Sequence, residues 1–256
     1  MPNSKDAPWQ KIFEDYGIET HDFDVSPFYI TAEQIKHSCR GFENTSQKEV
    51  RLLCKQDSRE DRPECFCRKG LFLLPVENGK YAIIKGEGYV DIPPVDEIQN
   101  LYTSQLDFAL ETSKVGNSEM QHVDYAYASS LIRTFMNDNS LVLTIRGRKY
   151  TPPFSFVVNR HTIQVDSVQT EVDAGYEGRD KVVLVEAKSS GANNIIIRQL
   201  FFPFRQWQSC TRKPVFTLFF QKEGEFYSLW QFHFRDPIDY NSIELIRSGK
   251  FSIISR

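Results

Sequence analysis

The sequence predicts an α/β protein of the α+β kind, with helices flanking a mixed sheet, and three observations carry that prediction. Residues 122–136 place Val123, Ala126, Tyr127, Ser130, Leu131 and Phe135 near helical spacing, the pattern of an amphipathic helix ended by Asn137-Asp138-Asn139. Four short runs rich in β-branched and apolar residues follow, at 141–145, 154–158, 162–172 and 181–187. A second helical stretch, 194–208, leads to two more strand-like runs, 215–221 and 226–234, joined through Glu223-Gly224. The order is that of an αβββαβ-like unit over residues 118–256, preceded by a smaller mixed α/β region over 1–110.

The N-terminal elements read in order. Residues 7–17 carry Trp9, Ile12, Phe13 and Tyr16 on one stripe and end at Gly17, a short helix with a glycine C-cap. An extended piece over 23–30 leads to Thr31-Ala32-Glu33-Gln34, where Thr31 suits an N-cap and Gln34 the capping-box position of a helix over 32–38. Residues 51–54 read as a strand and 55–63 as a charged loop. The runs 70–75 and 80–85 flank Glu77-Asn78-Gly79, a hairpin signal through Asn-Gly. Pro93-Pro94 and the polar stretch 112–117 are the candidate domain boundaries. Within 194–208, Pro203 should kink the helix or mark a break.

Composition bounds the function. With 256 residues, 40% of them hydrophobic and 13% aromatic, the chain can fill one large or two small cores. A net charge of −3 argues against a non-specific nucleic-acid coat protein, while leaving room for a basic cleft under an acidic exterior. No apolar run approaches membrane-spanning length and the first residues contain no signal-peptide apolar stretch, so a cytoplasmic protein without membrane contact is expected. Five scattered cysteines argue against a disulfide framework, and Cys54, Cys65 and Cys67 lack zinc-ligand spacing.

The chemistry concentrates at residues 170–188. The run 182–185 is a strand apolar on both faces, and it ends in Glu186-Ala187-Lys188. Side chains alternate along a strand, so Glu186 and Lys188 share a face. A hairpin with the preceding strand brings Asp173 beside Glu186. Two carboxylates with solvent and phosphate oxygens suit Mg²⁺, and a lysine beside them can orient or deprotonate an attacking water. Phosphodiester hydrolysis is the implied reaction.

Asp173, twelve intervening residues and then Glu186-Ala187-Lys188 after an apolar strand resembles the PD-(D/E)xK nuclease motif, with Val172 where the signature proline would stand. The wider wording, Gln169-x-Glu171-Val172-Asp173-Ala174-Gly175-Tyr176-Glu177 and later Arg198-Gln199-Leu200-Phe201-Phe202-Pro203-Phe204-Arg205, is similar to type II restriction endonucleases of that superfamily. The resemblance implies a restriction-endonuclease-like core and Mg²⁺-dependent, sequence-specific cleavage of double-stranded DNA. It also implies a homodimer and a cognate methyltransferase as a separate protein. Asp173, Glu186 and Lys188 would be catalytic, with Asp173, Glu186 and the Ala187 carbonyl on the metal. Gln169 and Glu171, on Asp173's side of the strand, and Gln199 and Glu119 are candidates for supporting the site. Lys55, Gln56, Ser58, Arg59, Arg146, Arg148, Lys149 and Arg198 are candidate DNA contacts, with Arg146-Gly147-Arg148-Lys149 expected in a tight turn. A repair or structure-selective nuclease, and a non-enzymatic DNA-binding protein on a nuclease-like fold, remain as alternatives.

Overall fold

A computed structural model describes residues 3–95, 100–116, 118–189 and 191–254, and the apolar side chains of these residues sort into three buried clusters. The first is N-terminal. Helix α1 (Asp6–Asp15) buries the predicted stripe of Trp9, Ile12 and Phe13 and gives way to Gly17 at φ 64°, the left-handed conformation glycine adopts without a Cβ penalty. Strand β1 (Phe28–Thr31) runs into α2 (Ala32–Ser38), whose predicted capping box is closed by Gln34 N–H on Thr31 Oγ1 at 3.2 Å and Thr31 N–H on Gln34 Oε1 at 2.8 Å.

Short helices α3 (Thr45–Lys48), α4 (Val50–Leu53) and α5 (Glu64–Lys69) follow. Residues 51–54, expected as a strand, instead lie in and just after α4, where the Leu53 carbonyl accepts the Trp9 indole N–H at 3.1 Å. A four-residue apolar run has no period long enough to separate a strand from a buried helical turn. The Asn-Gly hairpin forms as expected from β2 (Leu71–Glu77) and β3 (Lys80–Lys85), and the first sheet has the order β1-β3-β2.

Strands β4 (Tyr89–Asp91) and β5 (Asn100–Thr103) lead to α6 (Glu119–Ala128) and α7 (Leu131–Met136). The single helix expected over 122–136 is therefore two, broken where Ser130 takes φ 66°. Next come β6 (Val142–Tyr150), the hairpin β7 (Phe154–Val158) and β8 (His161–Val165), and β9 (Gln169–Glu177). The strand expected over 162–172 is thus divided between β8 and β9, with Ser167 at φ 54° in the gap. Arg146, Gly147, Arg148 and Lys149 lie inside β6, not in a tight turn. Gly147 at φ 84° and two register shifts make that stretch irregular, which its sequence expresses as turn character.

Strand β10 (Val182–Lys188) precedes β11 (Asn194–Ile196), which pairs with β4, and α8 (Arg198–Gln208). The segment 194–208 is therefore a strand followed by a helix, and Pro203 lies within α8. The expected final hairpin is present as β12 (Val215–Glu223) and β13 (Phe226–Phe234), and a long unanticipated strand, β14 (Ile243–Ile254), adds to it.

The large sheet is mixed, as the sequence predicts, with order β5-β14-β13-β12-β10-β9-β6. Strands β6, β9 and β10 are antiparallel, and β10 pairs with β12 in parallel after the α8 crossover. On one face α6 and α7 cover Val183, Val185 and Leu218; on the other α8 covers Val182, Leu184 and Phe219. Central β10 is apolar on both faces because both are covered. Residues 100–103, grouped by sequence with the N-terminal region, pair with β14 at the edge of this sheet.

Candidate active site

Strand β10 is buried from Val182 through Ala187, and its last residues are where the apolar pattern stops. Alternation puts Glu186 and Lys188 on one face, and Lys188 Nζ lies 2.6 Å from Glu186 Oε1. Gln199, the second residue of α8, donates from Nε2 to the same oxygen at 2.8 Å. The α8 crossover between β10 and β12 is what carries this amide back to the strand end.

Asp173 reaches the same end by an irregularity in β9. The β9–β10 pairing runs from Glu177 opposite Val182 to Ala174 opposite Val185. Beyond it, Asp173 Oδ2 accepts the Ala187 N–H at 2.8 Å. Against β6 the register moves from Ile145–Gly175 to Gly147–Val172, so Asp173 and Ala174 together oppose Arg146. This β-bulge breaks the alternation: Val172 packs in the α8 core and Ala174 in the α6–α7 core. The register against β6 is continuous from Gln169 to Val172, so the bulge lies beyond Glu171 and leaves the alternation of 169 and 171 intact. Glu171 is exposed and paired with Arg148 at 3.1 Å, and Gln169 is exposed at the start of β9.

The charges at the centre are out of balance. Burial pushes the Glu186 carboxyl up to about 7; Lys188 works against the rise and Asp173 adds to it. Burial also raises Asp173, opposed by the Ala187 N–H and by Lys188. For Lys188 burial favours the neutral amine, but the attraction of Glu186, then Asp57 and Glu119, outweighs it and holds the ammonium above its usual range. Neighbouring carboxyls that burial raises above their ordinary range are a pattern typical of sites built for a cation or a proton.

The donor set fits a hard divalent ion. Among the described residues, Asp173 Oδ1 and Glu186 Oε2 receive no hydrogen bond, so each carboxyl keeps a free oxygen, and Ala187, next to Glu186 on β10, is tied to Asp173 through its N–H. Among the described residues no group of three or more His, Cys, Asp or Glu side chains converges as a metal cage. Two carboxylates with solvent suit Mg²⁺, which keeps much of its water, better than zinc.

A cleft of about 490 Å³ opens beside this centre, lined among others by Lys188, Glu119, Lys5, Lys55, Asp57 and Ser58. Glu119 begins α6 and accepts the Ser189 N–H at 2.9 Å, tying the helix to the strand end. The segment 55–61 reaches the centre because the Asp57 carbonyl accepts the Ile196 N–H at 2.9 Å and the Arg59 N–H donates to Asn194 Oδ1 at 2.7 Å.

The candidate DNA contacts divide. Lys55 is exposed beside the cleft and Ser58 lines it. Gln56 is only 2% exposed, which removes it from any groove surface. Arg59 is engaged by Asp91 and, at 3.5 Å, by Glu87. Arg146 pairs with Asp124, and Lys149 lies over the Trp207 ring at 5.8 Å. Arg198 faces Asp57 at 3.8 Å. Asp57 and Lys5 are among the cleft residues that sequence reasoning passed over, with Ser46, Asp61 and Asn194. The signal for Asp57 was an acid inside a run of Lys, Gln, Ser and Arg; that for Lys5, remote in sequence, was absent.

An α+β fold with a buried acid–lysine centre at the end of a central strand, walled by a second small unit, is the class of protein these observations define. The chain belongs to the family described as Domain of unknown function (DUF6997), whose model matches residues 84–252. Residues 6–83 match the model described as Domain of unknown function (DUF6996). No curated protein and no solved structure matches the chain. Among the described residues no helix is long and apolar enough to cross a membrane.

Proposed function

We propose that this protein is a Mg²⁺-dependent endodeoxyribonuclease of the PD-(D/E)xK kind that hydrolyses phosphodiester bonds in double-stranded DNA. One observation carries the reading: the bulge at Asp173 and the end of β10 bring two burial-raised carboxyls together with Lys188. The order β6-β9-β10-β12, with α6 before it and α8 crossing between its last two strands, supports the reading, because it is the αβββαβ arrangement the resemblance implies.

Asp173, Glu186 and the Ala187 carbonyl would hold Mg²⁺, which when bound would withdraw charge from the phosphate oxygens. Lys188 would hydrogen-bond the attacking water and fix its direction. Gln199 holds Glu186 Oε1, leaving Oε2 for the ion. Covering of the centre by both units limits bulk water around the reacting phosphate, so each fixed charge acts more strongly.

The finer reading is a cytoplasmic type II restriction endonuclease acting as a homodimer, since two cuts in a palindrome need two centres related by a two-fold axis. A methyltransferase would then be a separate protein. The test is incubation of the full chain with unmethylated phage DNA and Mg²⁺, beside Asp173→Ala, Lys188→Ala and a chelator control. Discrete fragments from the wild type alone are the expected result. A smear with the same mutant sensitivity would replace site-specific cleavage with structure-selective cleavage. A gel shift without cleavage, indifferent to both substitutions, would overturn the enzyme reading.

A further inference from the structure

Asp57 belongs to the N-terminal unit, yet its carboxylate faces the catalytic one. Its backbone is pinned at both ends, by the Ile196 N–H on its carbonyl at 2.9 Å and by its own N–H on Asp61 Oδ2 at 3.1 Å. Its side chain lies 3.8 Å from the Arg198 guanidinium and 3.5 Å from the Lys55 ammonium. Arg198 opens α8 directly before Gln199, the residue that holds Glu186. Two cations from different parts of the chain thus meet on one carboxylate at the wall of the cleft that Lys188 lines.

Both separations exceed the roughly 2.7–2.9 Å of a charge-assisted hydrogen bond. Asp57 therefore neutralises the two cations without saturating their donors. A phosphate group offers more charge and more acceptor oxygens to the same fork of guanidinium and ammonium.

We propose that Arg198 and Lys55 form a phosphate-binding subsite beside the Glu186–Lys188 centre, occupied in the ligand-free protein by the Asp57 carboxylate, which an incoming phosphate displaces. For a nucleic-acid source of that phosphate the proposal rests on the nuclease reading. The subsite itself does not, because free inorganic phosphate presents the same chemistry.

The experiment compares the full-length wild type with Asp57→Asn, Arg198→Gln and the double variant, all in chelator so that no cleavage intervenes. Inorganic phosphate, matched in ionic strength with chloride, is titrated by thermal shift. A labelled duplex oligonucleotide is titrated by fluorescence anisotropy. Removing the resident carboxylate should let phosphate act at roughly ten-fold lower concentration in Asp57→Asn, and this gain should vanish in the double variant. The oligonucleotide should follow the same ranking.

An unchanged phosphate response in Asp57→Asn, or an equal gain with and without Arg198, would overturn the subsite. The second result would show a general charge effect. The expected phosphate ranking with no oligonucleotide binding by any chain would keep the subsite and assign it to free phosphate, while the nuclease reading is decided separately by the cleavage assay with Mg²⁺. Should Asp57→Asn fail to fold, Lys55→Ala serves, since Lys55 is exposed. It should weaken phosphate several-fold, and an unaltered response overturns the proposal.

Discussion

The Ala187 N–H donates to Asp173 Oδ2 at 2.8 Å, so a side chain fills the rung that the β9–β10 ladder leaves open past Ala174 and Val185. An asparagine at 173 keeps an acceptor for that N–H but removes the negative charge. Asp173→Asn should therefore fold and lose metal binding. At Mg²⁺ about 100-fold above its Kd the wild type should gain about 2.7 kcal/mol. For a chain of this size that corresponds to a rise in Tm of roughly 5–10 °C. Thermal unfolding with and without Mg²⁺ checks this, and a full shift in Asp173→Asn would place the ion elsewhere.

Glu186 makes the stability of the metal-free protein depend on pH. Its folded carboxyl titrates at about 7, against an ordinary value of 4.5. Between those values the folded chain holds a proton that the unfolded chain has lost, so stability falls as pH rises through the window. The loss should reach roughly 3 kcal/mol, since each unit of difference is worth about 1.4 kcal/mol. Denaturant unfolding across pH 4.5 to 8 should show this slope in the wild type. It should be absent in Glu186→Gln, and an equal slope in both would assign it to another group.

Legibility in the sequence followed the length of each pattern. The covered strand β10, the hairpins β2–β3 and β12–β13 and the capping box of α2 each rest on several residues that agree, and each is present. The meeting of Asp173, Glu186 and Lys188 at one end of β9 and β10 was legible for the same reason. What escaped was set by single residues in unusual backbone conformation. Ser130 splits a helix, Ser167 divides a strand, and the bulge at Asp173 inverts the side-chain order of β9. The role of Asp57 depended on a contact with Arg198, a residue 141 positions later, which no local pattern encodes.

Gly175 is required by the strand beside it. A Cβ there would stand 2.6 Å from the Ile145 Cβ directly across the β6–β9 pair. β9 cannot retreat, because β10 closes its other side, so the edge strand β6 or the Ile145 side chain must give way. Gly175→Ala should therefore destabilise the protein by about 1–3 kcal/mol, the usual cost of overpacking a filled interior. Chemical denaturation measures it. Gly41→Ala, where a Cβ meets nothing within 4 Å, is the matched control and should stay close to wild type.

Gln199 is a positioning residue whose effect should appear in a pH profile before it appears in the fold. Its Nε2 donates to Glu186 Oε1 at 2.8 Å, a bond that favours the ionised carboxylate. Gln199→Leu conserves much of the volume and removes the donor, so the Glu186 titration should move further up. Mg²⁺ competes with that proton, and its affinity should fall by roughly 10–100-fold at neutral pH, the usual cost of removing a group that orients a ligand. At pH 9, where Glu186 is ionised in both chains, the difference should narrow. Mg²⁺ titrations followed by thermal shift at pH 7 and pH 9 test this. A deficit of equal size at both values would mean that Gln199 acts through packing alone.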